Sequence, residues 1–298
     1  MSLRNWILLF VLGAIWGGSF LFAKVAVAEI PPFTLVFFRV SIACAVLLLV
    51  LWHQGLIKHL EWRYAVPFLV MGFLNNAVPF SLLFLGQTEI GAGLASILNA
   101  TTPVFTVIVA SLIVKQEPLQ ANRVAGVVLG VVGVAIMLSS SLTGLATDPL
   151  WAQLCCLGAA VSYAFAATFA KRFKDVPPQV AATGQLIGSS VLMLPVAVLT
   201  SAGWSIGDPG ITAWLNVLAL SILATAFAYL IYFQLLANAG ATNASLVTLI
   251  VPASALFFGW LILGENLSVL QLSGFGVLLI GLVVLDGRVM RGKQANTV

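Results

Sequence analysis

Ten stretches of about 20 mostly apolar residues follow one another along this chain, joined by short polar connections. They fall at roughly 5–27, 32–52, 62–85, 89–114, 120–138, 149–171, 177–200, 211–237, 242–263 and 268–285. A helix needs about 20 such residues to cross the hydrocarbon core of a bilayer. Backbone groups find no water there, so only helices or a closed barrel can span it. Barrel strands would need segments of about ten residues that alternate in polarity. Continuous runs such as "VIVASLIV" (Val107–Val114) do not alternate. The expected fold is an all-α polytopic membrane protein with ten transmembrane helices. Composition agrees: 61% of residues are hydrophobic and 7% charged, where a soluble domain carries about 25% charged residues. The first span follows Arg4 and resembles a secretory leader, but its apolar run continues past Val27. It is read as a retained helix.

Positive charge sets the orientation, because loops facing the cytoplasm are rich in Lys and Arg. With the N-terminus inside, eleven of the thirteen Lys and Arg residues fall on the cytoplasmic side, from Arg4 to Lys293. Lys24 falls outside and Arg39 within the second span. Both termini are expected in the cytoplasm, with residues 288–298 forming a short basic tail. The scattered basic residues make no nucleic-acid patch. Cys44, Cys155 and Cys156 lie in apolar stretches and read as packed thiols rather than a disulfide framework. His53 and His59 share a loop with Lys58 and read as solvent-facing. No metal cluster, nucleophile-and-base pair or phosphate loop is apparent, so neither enzyme activity nor a cofactor is expected. The expected partners are a small-molecule substrate and the bilayer, with the chain a monomer or weak homo-oligomer.

The chain also repeats itself. "ASILNATTPVFTVIVASLIVKQEPL" from Ala95 is echoed by "ASLVTLIVPASALFFGWLILGENL" from Ala244. Ala95, Ser96, Pro103 and Leu112 align with Ala244, Ser245, Pro252 and Leu261. One gap later Glu117, Leu119, Gly126 and Gly133 align with Glu265, Leu267, Gly274 and Gly281. "FAK" at Phe22–Lys24 matches "FAK" at Phe169–Lys171, and Pro31–Pro32 match Pro177–Pro178. The halves are 1–140 and 148–287. Each holds five helices, an odd number, so the second must enter the membrane from the opposite side. Inverted repeats are typical of secondary transporters, with the substrate near the midplane between the halves.

The order Pro252, "LGE" (Leu263–Glu265), Leu267, Gln271, Gly274 and Gly281 resembles the EamA repeat of the drug/metabolite transporter superfamily. Pro103, Glu117, Leu119, Gly126 and Gly133 form its first copy, and "WGGSF" (Trp16–Phe20) also fits. The resemblance covers nearly the whole chain and implies ten helices, cytoplasmic termini and alternating access. Within the family the chain is most similar to exporters of amino acids in the bacterial inner membrane. These include the YddG type, which exports aromatic ones. The first half departs from the pattern: "VKQEPL" stands where the second has "LGENL", with one more residue before the glutamate.

Polar residues deep in a membrane helix face a partner or a cavity. At 1.5 Å per residue, Trp16, Asn75, Asn76, Asn99 and Tyr163 fall near mid-span. Trp16 lies beside Gly17 and Gly18, which are expected to leave open volume. Tyr163 holds its place in the second half. Both are candidates to face an apolar substrate body, with ordinary packing as the alternative. Asn75 and Asn76 precede Pro79, and Asn99 precedes Pro103. Proline frees a backbone carbonyl one turn earlier, so amides and carbonyl together could meet an ammonium and a carboxylate; bonding between helices is the alternative. Tyr229 and Gln234 are weaker candidates. Pro79, Pro103 and Pro252 are candidate helix breaks for gating. Gly13/Gly17 and Gly126/Gly130 have the small-xxx-small spacing of close helix packing. Arg39 could snorkel outward, pair with Glu29 or Glu89, or hold a substrate carboxylate.

No Asp or Glu falls near a helix centre. A carrier of organic cations would be expected to keep one as cation partner and proton carrier. A neutral zwitterion with an apolar body fits better, with neutral drugs or other metabolites as the alternative cargo. Cysteines placed at positions 24 and 171 should react with an impermeant thiol reagent from opposite sides of the membrane.

Overall fold

The computed structural model describes residues 1–116, 118, 120–142 and 148–287. Glu117, Leu119 and the tail at 288–298 lie outside the described residues. Ten helical rods are present among them: α1 (Leu3–Val27), α2 (Pro32–His53), α3 (Trp62–Glu89), α4 (Ala92–Ile113), α5 (Ala121–Leu142), α6 (Leu150–Phe173), α7 (Pro178–Thr200), α8 (Ile211–Ala239), α9 (Val247–Leu263) and α10 (Val269–Asp286). Nine are long and apolar enough to cross a membrane. The tenth, α9, is 17 residues long and follows one short turn of helix at Ala241–Ala244. No strand occurs among the described residues.

Local chemistry sets the helix starts in matching ways. Pro31–Pro32 open α2 and Pro177–Pro178 open α7. Proline suits this place because the first helical amide has no partner to lose. Ser268 starts α10 with a reciprocal bond pair to Gln271, which satisfies two orphan donors.

The halves are inverted. Lys24, near the end of α1, donates to the Gln87 carbonyl at the far end of α3, 2.8 Å away. Phe173, at the end of α6, stacks on Phe68 at the start of α3, with centroids 5.4 Å apart. These ends of α3 are about 28 Å apart at helical rise. Every main helix contact obeys the exchange of one half for the other. α1 packs on α9 and α8, while α6 packs on α4 and α3. α2 pairs with α7, and α5 with α10.

The α5–α10 crossing shows the exchange atom by atom. A Cβ on Gly126 would sit 2.7 Å from the Gly281 carbonyl, and one on Gly133 would sit 2.7 Å from the Gly274 carbonyl. The repeat carries the first contact onto the second. Without a hydrophobic force between helices in lipid, close backbone approach drives association. Gly13 and Gly17 do the same between α1 and α9: a Cβ on Gly17 would lie 2.5 Å from Ser254 Cβ. Gly17 therefore fills a crossing instead of leaving open volume beside Trp16. Gly130 packs on Val104.

The helix ends that differ in sequence close alike. Gly264 ends α9 in the left-handed conformation (φ 67°), and Lys115 takes the equivalent place after α4 (φ 56°). The Glu265 amide bonds the Gly259 carbonyl, and the Gln116 amide bonds the Ala110 carbonyl. By backbone, then, Gln116 is the counterpart of Glu265. A Gly133→Val or Gly274→Val substitution should destabilise the folded protein by about 1–3 kcal/mol through overpacking. Gly276→Val, where a Cβ meets nothing within 4 Å, should leave thermal unfolding in detergent unchanged.

Candidate functional site

A cavity of about 790 Å³ lies between the halves and draws its walls from both. It reaches the exposed Lys174 and Pro178 where α6 gives way to α7. At its other end it stops at Ala23 and Gln87. That end is tied shut. Lys24 holds the Gln87 carbonyl, and Gln87 Nε2 donates to the Phe20 carbonyl at 2.8 Å. The Glu265 carboxylate accepts the Ala92 and Gly93 amides at 2.7 and 3.0 Å. It caps the N-terminus of α4, where orphan amides and the helix dipole favour negative charge. Gly91, Gly93 and Gly259 make the room: a Cβ on Gly259 would lie 2.5 Å from the carboxylate. Glu29 ties α2 to α8 on the same face, accepting the Gly210 amide at 2.6 Å and, through its carbonyl, the Trp204 indole at 3.0 Å.

Broken helices form the walls. α3 carries a π-helical turn at Phe73–Ala77, and α8 carries one at Ala219–Phe227. Such turns cluster at functional positions. In the π register Pro79 leaves the Leu74 carbonyl without a donor, and Ser162 Oγ takes it at 2.7 Å. The freed carbonyl is thus closed off by α6, and Pro79 does not line the cavity. α4 breaks at Ala100–Thr101. There Pro103 frees the Asn99 carbonyl, which accepts from Thr102 Oγ1 at 2.7 Å. Pro103 and Pro252 do line the cavity.

Trp16, Asn99, Tyr163 and Tyr229 also line the cavity. Asn99 Oδ1 is buried without a hydrogen-bond partner. Asn76 does not line it. It is fully buried in the α3–α7 crossing, where Nδ2 donates to Ser189 Oγ at 3.3 Å and Oδ1 accepts from the Tyr229 hydroxyl at 3.5 Å. Asn75 lines the wall in its place and donates to Gln185 Oε1 at 3.0 Å. Gln234 is not part of the lining. Trp16 packs on Tyr232, with centroids 5.6 Å apart, and Phe233 extends that aromatic wall. Tyr232 and Phe233 are not among the sequence candidates because they lie toward the end of α8, beyond the mid-span depth that marks Tyr229.

Arg39 neither snorkels nor pairs with Glu29 or Glu89. It lies buried in the cavity wall, with Nε donating to Thr225 Oγ1 at 3.1 Å. Thr225 is oriented by its own bond to the Leu220 carbonyl across the π turn. The guanidinium carbon sits 3.7 Å from the Phe80 ring centroid, a cation–π contact of about 2 kcal/mol when desolvated.

A solved crystal structure has the same fold, with a TM-score of 0.65 at 20% identity over 96% of this chain and 98% of its own. The uncharacterized transporter YoaV of Bacillus subtilis (strain 168) is 26% identical over 86% of this chain and 87% of its own. A protein of Salmonella typhimurium (strain LT2) described as a probable amino-acid metabolite efflux pump is 25% identical over 95% of each chain. The profile of the EamA-like transporter family matches twice, at residues 4–139 and 150–285. The two matches coincide with the inverted halves that enclose the cavity, and this multi-pass membrane protein belongs to the EamA-like transporter family.

Proposed function

We propose that the protein exports amino acids, aromatic and other hydrophobic ones included, across the bacterial inner membrane by alternating access. The observation that carries this reading is one cavity built by both halves, open at the Lys174 face and tied shut at the Lys24 face. On the positive-inside rule both termini and the open end would face the cytoplasm, which supports export. A substrate would then enter from inside, settle against the aromatic wall of Trp16 and Tyr232, and leave when the Glu265 and Glu29 ties open. Tyr163, Tyr229 and Asn99 supply polar contacts along its path, and Pro103 marks the break in α4 that lets that wall move, whereas Pro252, the other candidate break, lies within the unbroken helix α9. The likeness to the Salmonella efflux pump supports amino acids as cargo. The breadth of the aromatic wall favours a second reading, a carrier for neutral drugs or other small metabolites.

Counterflow in proteoliposomes separates the two. Phenylalanine should drive saturable exchange and a neutral dye should not; the reverse would favour the second reading. Trp16→Ala and Asn99→Ala should each lower phenylalanine exchange about tenfold, the value of roughly 1.4 kcal/mol of lost contact. Unchanged exchange in correctly inserted variants would remove both residues from the path.

Among the described residues no acidic side chain lines the cavity, so none of them offers a carboxylate there to carry a proton. Transport should run down the substrate gradient. An imposed pH gradient alone should give no uphill accumulation of phenylalanine in proteoliposomes, measured as intravesicular over external concentration.

A further inference from the structure

Arg39 is a permanent cation in the cavity wall, 7% exposed. It makes no ion pair with any described carboxylate. At the closed end Glu29 bonds Gly210, Glu265 bonds Ala92 and Gly93, Asp148 bonds Gln271, and Glu89 is exposed at the end of α3. The ionisable groups near it are the phenols of Tyr163 and Tyr229. A buried charge without a partner is costly, and within a membrane helix it marks a site of function.

The geometry states which part of Arg39 is free. A guanidinium offers two edges that can each grip a carboxylate with a pair of parallel hydrogen bonds. Thr225 occupies Nε, and Phe80 covers one face of the plane. Among the described residues, the edge made by the two terminal nitrogens has no hydrogen-bond or ion-pair partner. Across the rest of the cavity the balance of charge is the same: Lys174 stands at the mouth, and no acidic residue lines the wall among the described residues. An ammonium group would meet only neutral acceptors, such as the Thr248 carbonyl that Pro252 deprives of its intrahelical donor.

We propose that the cavity recognises its substrate by a carboxylate, which Arg39 grips through its terminal nitrogens, and that an α-ammonium is dispensable. The substrate class is carboxylates with an apolar body, the amino acids together with their 2-oxo counterparts. This rests on the reading of the cavity as the transport path.

The test is a binding series on the purified wild-type protein, read by thermal stabilisation and tryptophan fluorescence. The ligands are phenylalanine, phenylpyruvate, phenylalaninamide and phenethylamine. Phenylalanine and phenylpyruvate should bind within about tenfold of each other, and the amide and amine at least about tenfold more weakly, the range expected for a charge-assisted hydrogen bond. Arg39→Lys, which keeps the charge and loses the fork, should weaken both carboxylates about tenfold. Arg39→Gln should erase the preference for acid over amine. If either variant fails to fold, the wild-type series decides alone. Equal binding of the amine, binding of phenylalanine without phenylpyruvate, or no binding at all would overturn the proposal. Binding of phenylpyruvate without phenylalanine would sustain it while overturning amino acids as the cargo.

Discussion

Backbone groups inside hydrocarbon must find partners, and that requirement shapes this protein more than side-chain packing does. A straight helix satisfies it without help. This chain breaks its helices beside the cavity and then repairs each break locally. Ser162 takes the carbonyl that Pro79 frees, and Thr102 takes the one that Pro103 frees. Thr225 spans its π turn to the Leu220 carbonyl and still accepts from Arg39. Irregular backbone is tolerated in a membrane only where protein or a cavity covers it. The breaks therefore sit where a neighbouring helix or the cavity between the halves does the covering.

The two halves share a fold but not a state. The glycine crossings of α5 on α10 are exchanged by the repeat and look alike from either side. The ends of the cavity do not. Glu265 draws the start of α4 against the end of α9, while the opposite mouth stands open beside Lys174. The exchange that relates the halves maps the first contact onto one between the start of α9 and the Gln116 end of α4. Under the proposed alternating access, a chain with this symmetry would have two arrangements of similar packing, each closed at one end. What separates them in energy is the chemistry of the ties, and that chemistry differs because "VKQEPL" is not "LGENL".

Spans, repeat and inversion were legible because each rests on a coarse signal: twenty apolar residues, or prolines and glycines at matched spacing. The site was legible only in part. Trp16, Asn99, Tyr163 and Tyr229 were reachable as polar or aromatic residues near mid-span. Straight helical geometry through Phe73–Ala77 would bring Asn76 to the cavity, but the segment is π-helical. A π turn inserts a residue, and each residue turns the helix by about 100°. Asn75 therefore reaches the cavity, and Asn76 is buried against α7. Tyr232 and Phe233 escape for another reason. They lie past mid-span in α8, and an aromatic ring near a helix end reads as an interface anchor.

Arg39 joins these threads. Sequence marked it as a charge within a span but could not show its surroundings, which come from α3 and α8. The Phe80 ring and the Thr225 hydroxyl stabilise it in the empty protein. Together they supply about 2 kcal/mol of cation–π attraction and one charge-assisted hydrogen bond of about 1.5–3 kcal/mol. Desolvating an ion costs several kcal/mol even after relaxation. The wall thus offsets that cost at Nε and on one face of the guanidinium, and leaves the edge of the two terminal nitrogens to an anion. Had the chain placed an acid beside Arg39, the pair would be neutral and the cavity indifferent to charge. Its absence from the lining makes the electrostatics of the empty site one-sided. Selectivity by charge is then a property of the whole cavity, with Arg39 as its fixed point.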